Sequence, residues 1–279
     1  MPTTRFTVAA TSWVTPSLRR VHLRTDDLSA FAGSNFTDRY VKLVFPQPGV
    51  DYPEQMDVRA LRGTMPAEDL PDVRTYTALN PDLVEGTIDI DFVIHGDEGI
   101  AGPWAARATV GDTLLLNGPG GAYRPDPSAD WHLLVGDESA LPAVTAALDS
   151  LPRTAVARVV VLVDSAEHEP ELALPAATTV TYVHRDGSSM YDSLEAAVRA
   201  LDWPDGRVHA FVHGEAEDVM HGVRPYLRGE RGLGRDQLSV SGYWRRGRTE
   251  EGFRAWKSEL AAAEGGDESR ARPVRMAGR

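Results

Sequence analysis

The sequence predicts an antiparallel β-barrel followed by a doubly wound α/β domain, and two patterns in its 279 residues support that fold class. In the first part, short segments of alternating polarity are separated by turns rich in Gly and Pro, which is typical of a small barrel. In the second part, Val- and Leu-rich runs without alternation are separated by helical patterns, which is typical of a parallel sheet buried on both faces. We expect the barrel over residues 1–125, the α/β domain over 126–264 and a flexible tail over 265–279.

The barrel strands are predicted where apolar residues recur at every second position. The clearest case is Ile88–Ile94, in which Asp89 and Asp91 separate the apolar side chains. Weaker alternation marks Val21–Leu23 and Tyr40–Phe45, and the polar stretch Tyr52–Asp72 is predicted as a long loop. The turns between these strands are predicted at Thr15–Ser17, Pro46–Gly49, Asn80–Asp82 and Gly118–Gly121.

The elements of the second domain alternate between strand and helix, as in βαβ units. The predicted strands are Trp131–Val135, Val159–Val163, Val180–Val183, Val208–Val212 and Leu238–Tyr243. The predicted helices are Pro142–Leu151, Met190–Leu201, Glu215–Arg228 and Glu250–Ala263. A sheet of this kind binds ligands outside the carboxyl ends of its strands.

Composition excludes several classes of function. The formal charge of the chain is −12, but it is not uniform. The residues before Arg224 carry a net charge of −17, whereas the part from Arg224 onwards has 13 basic and 8 acidic residues and is net positive. This acidity argues against nucleic acid or an anionic membrane surface as a partner. The chain has no Cys, so disulfides, thiolate metal sites and cysteine-ligated iron–sulfur clusters are excluded, and any electrons must reside on a bound organic cofactor. Because neither a membrane span nor a secretory signal is recognisable, we expect a cytoplasmic protein.

The tetrapeptide Arg74-Thr75-Tyr76-Thr77 lies on a predicted barrel strand and combines the groups that a flavin needs. A cation balances the pyrophosphate, an aromatic ring covers the isoalloxazine, and a hydroxyl bonds to a ring atom. Alternation places Arg74 and Tyr76 on one face of the strand and Thr77 on the other. On these residues alone, an ordinary strand is the better interpretation.

A second candidate segment, Asp91–Gly96, ends the clearest strand and leads through a glycine-rich loop towards Trp104. Glycines in this loop allow the backbone to approach a ligand closely, and the amides of a short helix at Trp104 are placed to bind phosphate. His95 taken alone is more often a packing or capping residue than a site residue.

The first strand of the second domain ends in an acidic turn, with Asp137 and Glu138 before Ser139 and Ala140. In nucleotide-binding folds this turn carries glycines that admit a pyrophosphate, and two carboxylates would repel one. Capping of the following helix is the simpler interpretation. The sequence therefore does not favour conventional docking of a nicotinamide dinucleotide.

Two histidines, His209 and His213, have a spacing that would suit a metal site on a helix. The flanking Val208, Phe211 and Val212 instead predict a strand, along which four residues span about 13 Å, too far for one ion. We expect no metal site. The sequence also has no P-loop, HExxH or GxSxG pattern, which leaves hydrolase and NTPase functions without support.

The segment Gly242–Arg248 concentrates aromatic and cationic side chains at the end of the last predicted strand. An aromatic platform beside cations suits a large, flat, anionic ligand, although a solvated basic loop is the usual interpretation of a charge run. The residues concerned are Tyr243, Trp244, Arg245, Arg246 and Arg248.

In their order along the chain, these segments resemble the siderophore-interacting protein family of FAD-dependent ferric-siderophore reductases. The matching stretches are RTYT from Arg74, DFVIHGDEGIAGPWAA from Asp91, Val110–Asp112 through Gly118–Gly121, LLVGDESALPAVTAALDSLP from Leu133, HGEAEDVMHGVRPYLRGERGL from His213 and GYWRRGR from Gly242. The resemblance implies an FAD-binding barrel followed by a nucleotide-binding domain of the ferredoxin-reductase type.

The resemblance also implies roles for single residues. Arg74, Tyr76 and Thr77 would hold the phosphate and isoalloxazine of FAD, and Asp91, Val93 and His95 would line the cofactor. Gly102, Trp104 and Ala105 would meet the pyrophosphate; Asp137, Glu138, Ser139 and Ala140 would lie near the adenosine half, and Trp244 near the flavin. Two departures are visible: Ser139 stands where Thr is usual, and Ala101–Pro103 replaces a segment that often offers a hydroxyl, so backbone amides would have to serve there.

We therefore expect a monomeric oxidoreductase in which FAD accepts electrons from NAD(P)H or reduced ferredoxin and passes them singly to siderophore-bound Fe(III). The hard oxygen ligands of a siderophore hold Fe(II) less tightly, so reduction releases the metal. The predicted landing site for an anionic ferric siderophore is Arg245, Arg246 and Arg248, with Arg124 and Lys42 as weaker candidates. Two alternatives stay open: a flavin reductase or electron-transfer flavoprotein with another acceptor, and a siderophore- or flavin-binding carrier without turnover.

Overall fold

A closed barrel and a five-stranded sheet follow one another in the computed structural model, which describes residues 3–53, 56–97, 99–248 and 252. Residues up to Tyr243 form one compact unit that contains the barrel and nearly all of the sheet, and the chain from Trp244 onwards forms another. The predicted helix Glu250–Ala263, apart from Gly252, and the predicted tail lie outside the described residues. No helix in the described ranges is long and apolar enough to cross a bilayer.

The barrel has six strands in the order β1-β2-β5-β4-β3-β6, and every pair with a recorded register is antiparallel. The strands are β1 (Thr4–Thr15), β2 (Leu18–Arg24), β3 (Tyr40–Phe45), β4 (Asp72–Asp82), β5 (Thr87–Val93) and β6 (Thr113–Gly120). The alternation in β5 has the predicted effect: Ile88, Ile90 and Phe92 are fully buried in the barrel core, while Asp89 and Asp91 project from the opposite face. The barrel prediction is confirmed.

The long polar stretch before β4 contains more structure than the predicted loop. A short helix, α1 (Val58–Leu61), begins at Asp57, whose side chain accepts the amides of Arg59 and Ala60. A 3₁₀ turn follows at Ala67–Asp69. Leu61 joins a small separate core with Val44, Met56 and Val73, so the segment covers the outer side of β3 and β4. A second short helix, α2 (Ala101–Arg107), lies between β5 and β6.

The second sheet has the order β11-β10-β7-β8-β9, and the pairs β10–β7, β7–β8 and β8–β9 are parallel. Its strands are β7 (Trp131–Asp137), β8 (Val156–Val163), β9 (Ala177–His184), β10 (Val208–Glu215) and β11 (Leu238–Trp244). The chain runs outwards from β7 to β9 and then returns to place β10 on the other side of β7. The carboxyl ends of β7 and β10 therefore flank the switch point, where such sheets bind ligands.

Helical segments cover both faces of this sheet, as the continuous apolar runs predict. The helix α3 (Leu141–Ser150) covers one face, and the helix α4 (Leu194–Arg199) covers the other. The predicted helix Glu215–Arg228 takes an unusual form, with π-helical segments at Glu217–Val223 and Tyr226–Glu230. Leu18 of the barrel is buried in the α3 core, and that face is where the barrel and the sheet meet.

Candidate functional site

The predicted flavin strand is β4, and it places its three candidate side chains as alternation requires. Tyr76 is half-buried and packs on Phe92 of the barrel core, with ring centroids 4.6 Å apart. Arg74 is also half-buried; its Nη1 donates to the carbonyl of Val73 at 3.0 Å. Thr77 is buried on the opposite face, where its side chain hydrogen-bonds to that of Tyr243. Cation, ring and hydroxyl thus lie within one short stretch of strand, and the donor set fits a flavin with its phosphates.

Asp91 on β5 is bound by another part of the barrel. It is 5% exposed, and its two carboxylate oxygens accept from Arg20 Nε at 2.7 Å and Arg20 Nη2 at 2.8 Å. This hydrogen bond raises the pKa of Arg20. Because Arg20 lies on the neighbouring β2, the pair holds the two strands together, and a direct contact between Asp91 and a cofactor stays a prediction. Val93, two residues further, packs into the core between the barrel and α3.

The loop after β5 has a backbone that only glycine adopts easily. Gly96 and Gly99 have φ of 65° and 77°, and a Cβ at either position would meet no atom within 4 Å. His95 is exposed beside them. The other end of the loop is close-packed, since a Cβ on Gly102 would lie 3.3 Å from the carbonyl oxygen of Val93. The loop therefore has open space on its outer side and is anchored against β5 on its inner side.

The first turn of α2 limits which amides can meet an anion. Trp104 N–H donates to Ile100 O at 3.0 Å, and Pro103 has no N–H. In a helix the amide of Ala105 donates to the carbonyl four residues earlier. Among the residues predicted to meet the pyrophosphate, this leaves the backbone amide of Gly102 as the donor. The Trp104 ring packs 5.6 Å from Phe92, and Ala105 is fully buried. Their side chains belong to the barrel packing, and a role of this turn at a pyrophosphate stays a prediction.

The acidic turn after β7 is satisfied by donors of the chain itself. Asp137 is 1% exposed; its Oδ1 accepts the amide and hydroxyl of Ser139, and its Oδ2 accepts the amide of Glu215 at 2.9 Å. Glu138 accepts the Ser17 hydroxyl at 2.5 Å and Arg185 Nη1 at 2.6 Å. Ala140 is the residue before α3 and is fully buried. A role of this turn at the adenosine half of a cofactor stays a prediction.

The backbone at the switch point is also tightly packed. A Cβ on Gly136 would lie 2.6 Å from the Cβ of Ala140 and 2.8 Å from the carbonyl oxygen of His213. A Cβ on Gly214 would lie 3.0 Å from the carboxylate of Asp137. These glycines allow β7, β10 and the start of α3 to approach one another, which is a packing role.

The histidines singled out in the sequence lie on β10, so the strand prediction is confirmed. His209, Phe211 and His213 share one face, and the Phe211 and His213 rings stack 3.8 Å apart. His209 faces His132 on the neighbouring β7. Burial lowers the pKa of His132 to about 4, so this ring is neutral in the folded protein.

Two predicted landing residues and one cation that sequence reasoning missed lie on the barrel side. Lys42 on β3 donates to the Thr75 hydroxyl, and Arg124 is exposed just after β6. Arg39, directly before β3, is half-buried, and its Nε has no hydrogen-bond partner in the part of the chain that the structure describes. Burial lowers the pKa of Arg39. Its position immediately before the alternation of β3 was the signal in the sequence, because the chain there lies beside β4, where the carbonyl of Arg39 accepts the amide of Ala78 at 2.7 Å.

The remaining candidates lie at the end of β11 and beyond it. Trp244 is the last residue of the strand and is half-buried, as is Arg245. Arg246 and Arg248 are exposed, and the amide of Arg248 donates to the carbonyl of Arg245 at 3.1 Å. These four residues belong to the unit that begins at Trp244. Their roles at the flavin and the siderophore stay predictions.

Comparison with known proteins gives consistent matches along nearly the whole chain. The model of the siderophore-interacting FAD-binding domain matches residues 7–123, and that of the siderophore-interacting protein matches residues 129–247. An uncharacterised protein of Mycobacterium tuberculosis is 45% identical over 278 residues, covering 95% of this chain and 98% of its own. Ferric vibriobactin reductase ViuB of Vibrio cholerae is 34% identical over 246 residues, covering 86% of this chain and 89% of that protein. The crystal structure of a siderophore utilization protein from T. fusca is similar with a TM-score of 0.75 and 34% identity, covering 88% of this chain and 94% of that one.

Proposed function

Because this chain belongs to the siderophore-interacting protein family, we propose that it is an FAD-dependent reductase that converts siderophore-bound Fe(III) to Fe(II) and so releases iron in the cytoplasm. The observation that carries the proposal is the composition of β4, where Arg74, Tyr76 and Thr77 supply a cation, an aromatic ring and a hydroxyl within four residues of one strand. The similarity to ferric vibriobactin reductase supports the choice of substrate class.

When bound, FAD supplies the ability to accept two electrons from a donor and to pass them on singly. The residues of the chain bind and orient it. Arg74 would balance the phosphate charge, Tyr76 would cover one face of the isoalloxazine, and the Thr77 hydroxyl would bond to a ring atom. Phe92 packs on the Tyr76 ring and supports it, and Trp104 packs on Phe92 in turn. The amide of Gly102 would complete the contacts at the pyrophosphate.

The iron step needs no protein nucleophile and no general base. Each Fe(III) takes one electron and becomes Fe(II), so a two-electron donor serves two ferric complexes. No bond within the siderophore is broken; the oxygen ligands simply hold the softer, less charged Fe(II) more weakly. The residues proposed to bind the anionic complex are Lys42, Arg124, Arg245, Arg246 and Arg248.

The electron donor is either NAD(P)H or a reduced ferredoxin. At the switch point, Asp137 and Glu138 are held in place by Ser139, Ser17 and Arg185, and their charge opposes an incoming pyrophosphate. This observation favours ferredoxin, since a protein donor does not need to enter the crevice. It also keeps a non-catalytic carrier as the second candidate function.

An anaerobic spectroscopic experiment tests the proposal. The purified protein, reconstituted with FAD, is mixed in separate samples with NADH, NADPH and reduced ferredoxin, and the flavin absorbance is followed. We expect loss of absorbance with at least one donor and recovery on addition of a ferric siderophore. Loss without recovery supports a flavin reductase with another acceptor, and no loss with any donor supports the carrier.

A further inference from the structure

One hydrogen bond joins the strand that we propose for flavin binding to the second sheet. The side chain of Thr77 on β4 bonds to the hydroxyl of Tyr243 on β11. Thr77 is 6% exposed, and strand pairing places it opposite Tyr40, on the face of β4 away from Tyr76. In this way a group of the second sheet reaches a proposed contact of the cofactor.

The phenol of Tyr243 is neutral and keeps its proton. Burial is the main cause that raises the pKa of Tyr243, and the carboxylates of Asp38 and Asp137 raise it further. Asp38 lies just before β3 of the barrel and Asp137 at the end of β7, so the hydroxyl lies where the barrel meets the carboxyl edge of the sheet. Tyr243 therefore brings a hydroxyl with a proton, and not a phenolate, to Thr77.

The ring of Tyr243 is held by side chains of the second sheet. The His213 ring on β10 meets it edge to face, with centroids 5.0 Å apart and ring planes at 88°. His213 is itself fixed, because its Nε2 forms a 2.9 Å hydrogen bond with the Ser239 hydroxyl and its ring stacks on Phe211 at 3.8 Å. These contacts set the position from which the Tyr243 hydroxyl meets Thr77.

The number of protons on the two hydroxyls determines what Thr77 can do. A hydroxyl group donates one hydrogen bond and accepts up to two. When Tyr243 donates to Thr77 Oγ1, the proton of Thr77 is not used in that bond and is available to an acceptor atom of the flavin ring. Without a donor to its oxygen, a threonine hydroxyl rotates readily and bonds to nearby backbone carbonyls instead.

We propose that Tyr243 is a positioning residue of the cofactor site, which donates to Thr77 Oγ1 and so orients the Thr77 hydroxyl as a donor to the ring of oxidised FAD. This inference rests on the proposed function, which supplies the FAD and its contact with Thr77. Tyr243 acts through Thr77, so its effect on FAD binding exists only while residue 77 carries a hydroxyl.

A double-mutant cycle on the binding of oxidised FAD tests the inference without any electron donor or iron. The full-length protein is freed of flavin and titrated with FAD, and the change in flavin fluorescence gives Kd for the wild type, Y243F, T77V and Y243F/T77V. The near-UV absorption band of the bound FAD is recorded as well, because it responds to hydrogen bonds at the ring. The matched control is Y182F, since Tyr182 Oη on β9 donates to the carbonyl of Pro170 at 2.9 Å at the opposite edge of the same sheet.

We expect T77V to weaken FAD binding about tenfold, Y243F about fivefold, and the double variant no more than T77V alone. T77S keeps a hydroxyl, so Y243F should still cost about fivefold when it is added to T77S. The absorption band should shift in the same direction in Y243F and T77V, and Y182F should match the wild type in both measurements. The melting temperature of each variant verifies that it is folded.

Three results would overturn the inference: an unchanged Kd in Y243F, an unchanged Kd in T77V, or effects that multiply to about fiftyfold in the double variant, as a merely structural role of Tyr243 would give. Failure of the proposed reduction is seen elsewhere, as flavin absorbance that does not recover with a ferric siderophore, and it would leave these affinities as they are. A cycle with independent effects would likewise leave the reduction unaffected.

Discussion

Replacing Glu138 by Ala removes the carboxylate that joins the turn after β7 to two other parts of the chain. Glu138 is 5% exposed, and it accepts the Ser17 hydroxyl and Arg185 Nη1. A buried hydrogen bond to a charged acceptor contributes about 1.5–3 kcal/mol. Arg185 also loses an ion-pair partner in this variant, but it keeps Asp164 at 2.9 Å and is partly exposed. The loss of this ion pair therefore adds about 1 kcal/mol to the destabilisation. We expect the variant to be destabilised by about 3 kcal/mol.

Equilibrium unfolding in urea, followed by circular dichroism, measures this loss. Two further variants give a ranking. E138Q keeps an acceptor for Ser17 and loses only the charge, so we expect about 1–2 kcal/mol. D164N removes the half-exposed partner of Arg185 and should cost at most about 1 kcal/mol. If E138A unfolds with the same free energy as D164N, the carboxylate is not stabilised by the chain's own donors. Our reason for disfavouring a dinucleotide at this turn would then be wrong.

Three more outcomes follow from the structure. Y76A should weaken FAD retention about tenfold, measured as flavin released on dilution, because the ring that packs on the barrel core is lost; unchanged retention would remove Tyr76 from the proposed site. The free energy of unfolding should fall as the pH drops from 6.5 towards 4, because burial lowers the pKa of His132 to about 4 and the unfolded chain binds the proton more readily. The H132Q variant should lose less stability over this pH range, and an equal loss in the variant would show that another group causes the pH dependence. K42E and R124E should each raise KM for an anionic ferric siderophore several-fold with little change in kcat, and a KM that stays constant would exclude these cations from the landing site.

The barrel could be predicted because its strands follow a local rule. In β5 the period of two places Ile88, Ile90 and Phe92 inward without reference to any other part of the chain. The doubly wound sheet follows from the same kind of pattern, since continuous apolar runs with intervening helices require cover on both faces. The order of the strands in this sheet cannot be predicted from such patterns, because no local pattern indicates that β10 returns beside β7.

Site features that depend on contacts between residues far apart in the sequence could not be predicted from local patterns. Asp91 was a candidate cofactor contact, and its ion pair with Arg20 arises only when β2 pairs with β5. Glu138 was expected to cap a helix, yet its partners Ser17 and Arg185 come from the barrel and from the end of β9.

The electron balance between flavin and iron is the decisive measurement. The FAD-loaded protein is reduced anaerobically, freed from excess donor and mixed with a ferric siderophore in the presence of a chromogenic Fe(II) chelator. Our proposal predicts that the flavin absorbance returns and that two Fe(II) are captured for each reduced FAD. Flavin that stays reduced, or that is reoxidised without Fe(II) appearing, would contradict the assignment of this protein as a ferric-siderophore reductase.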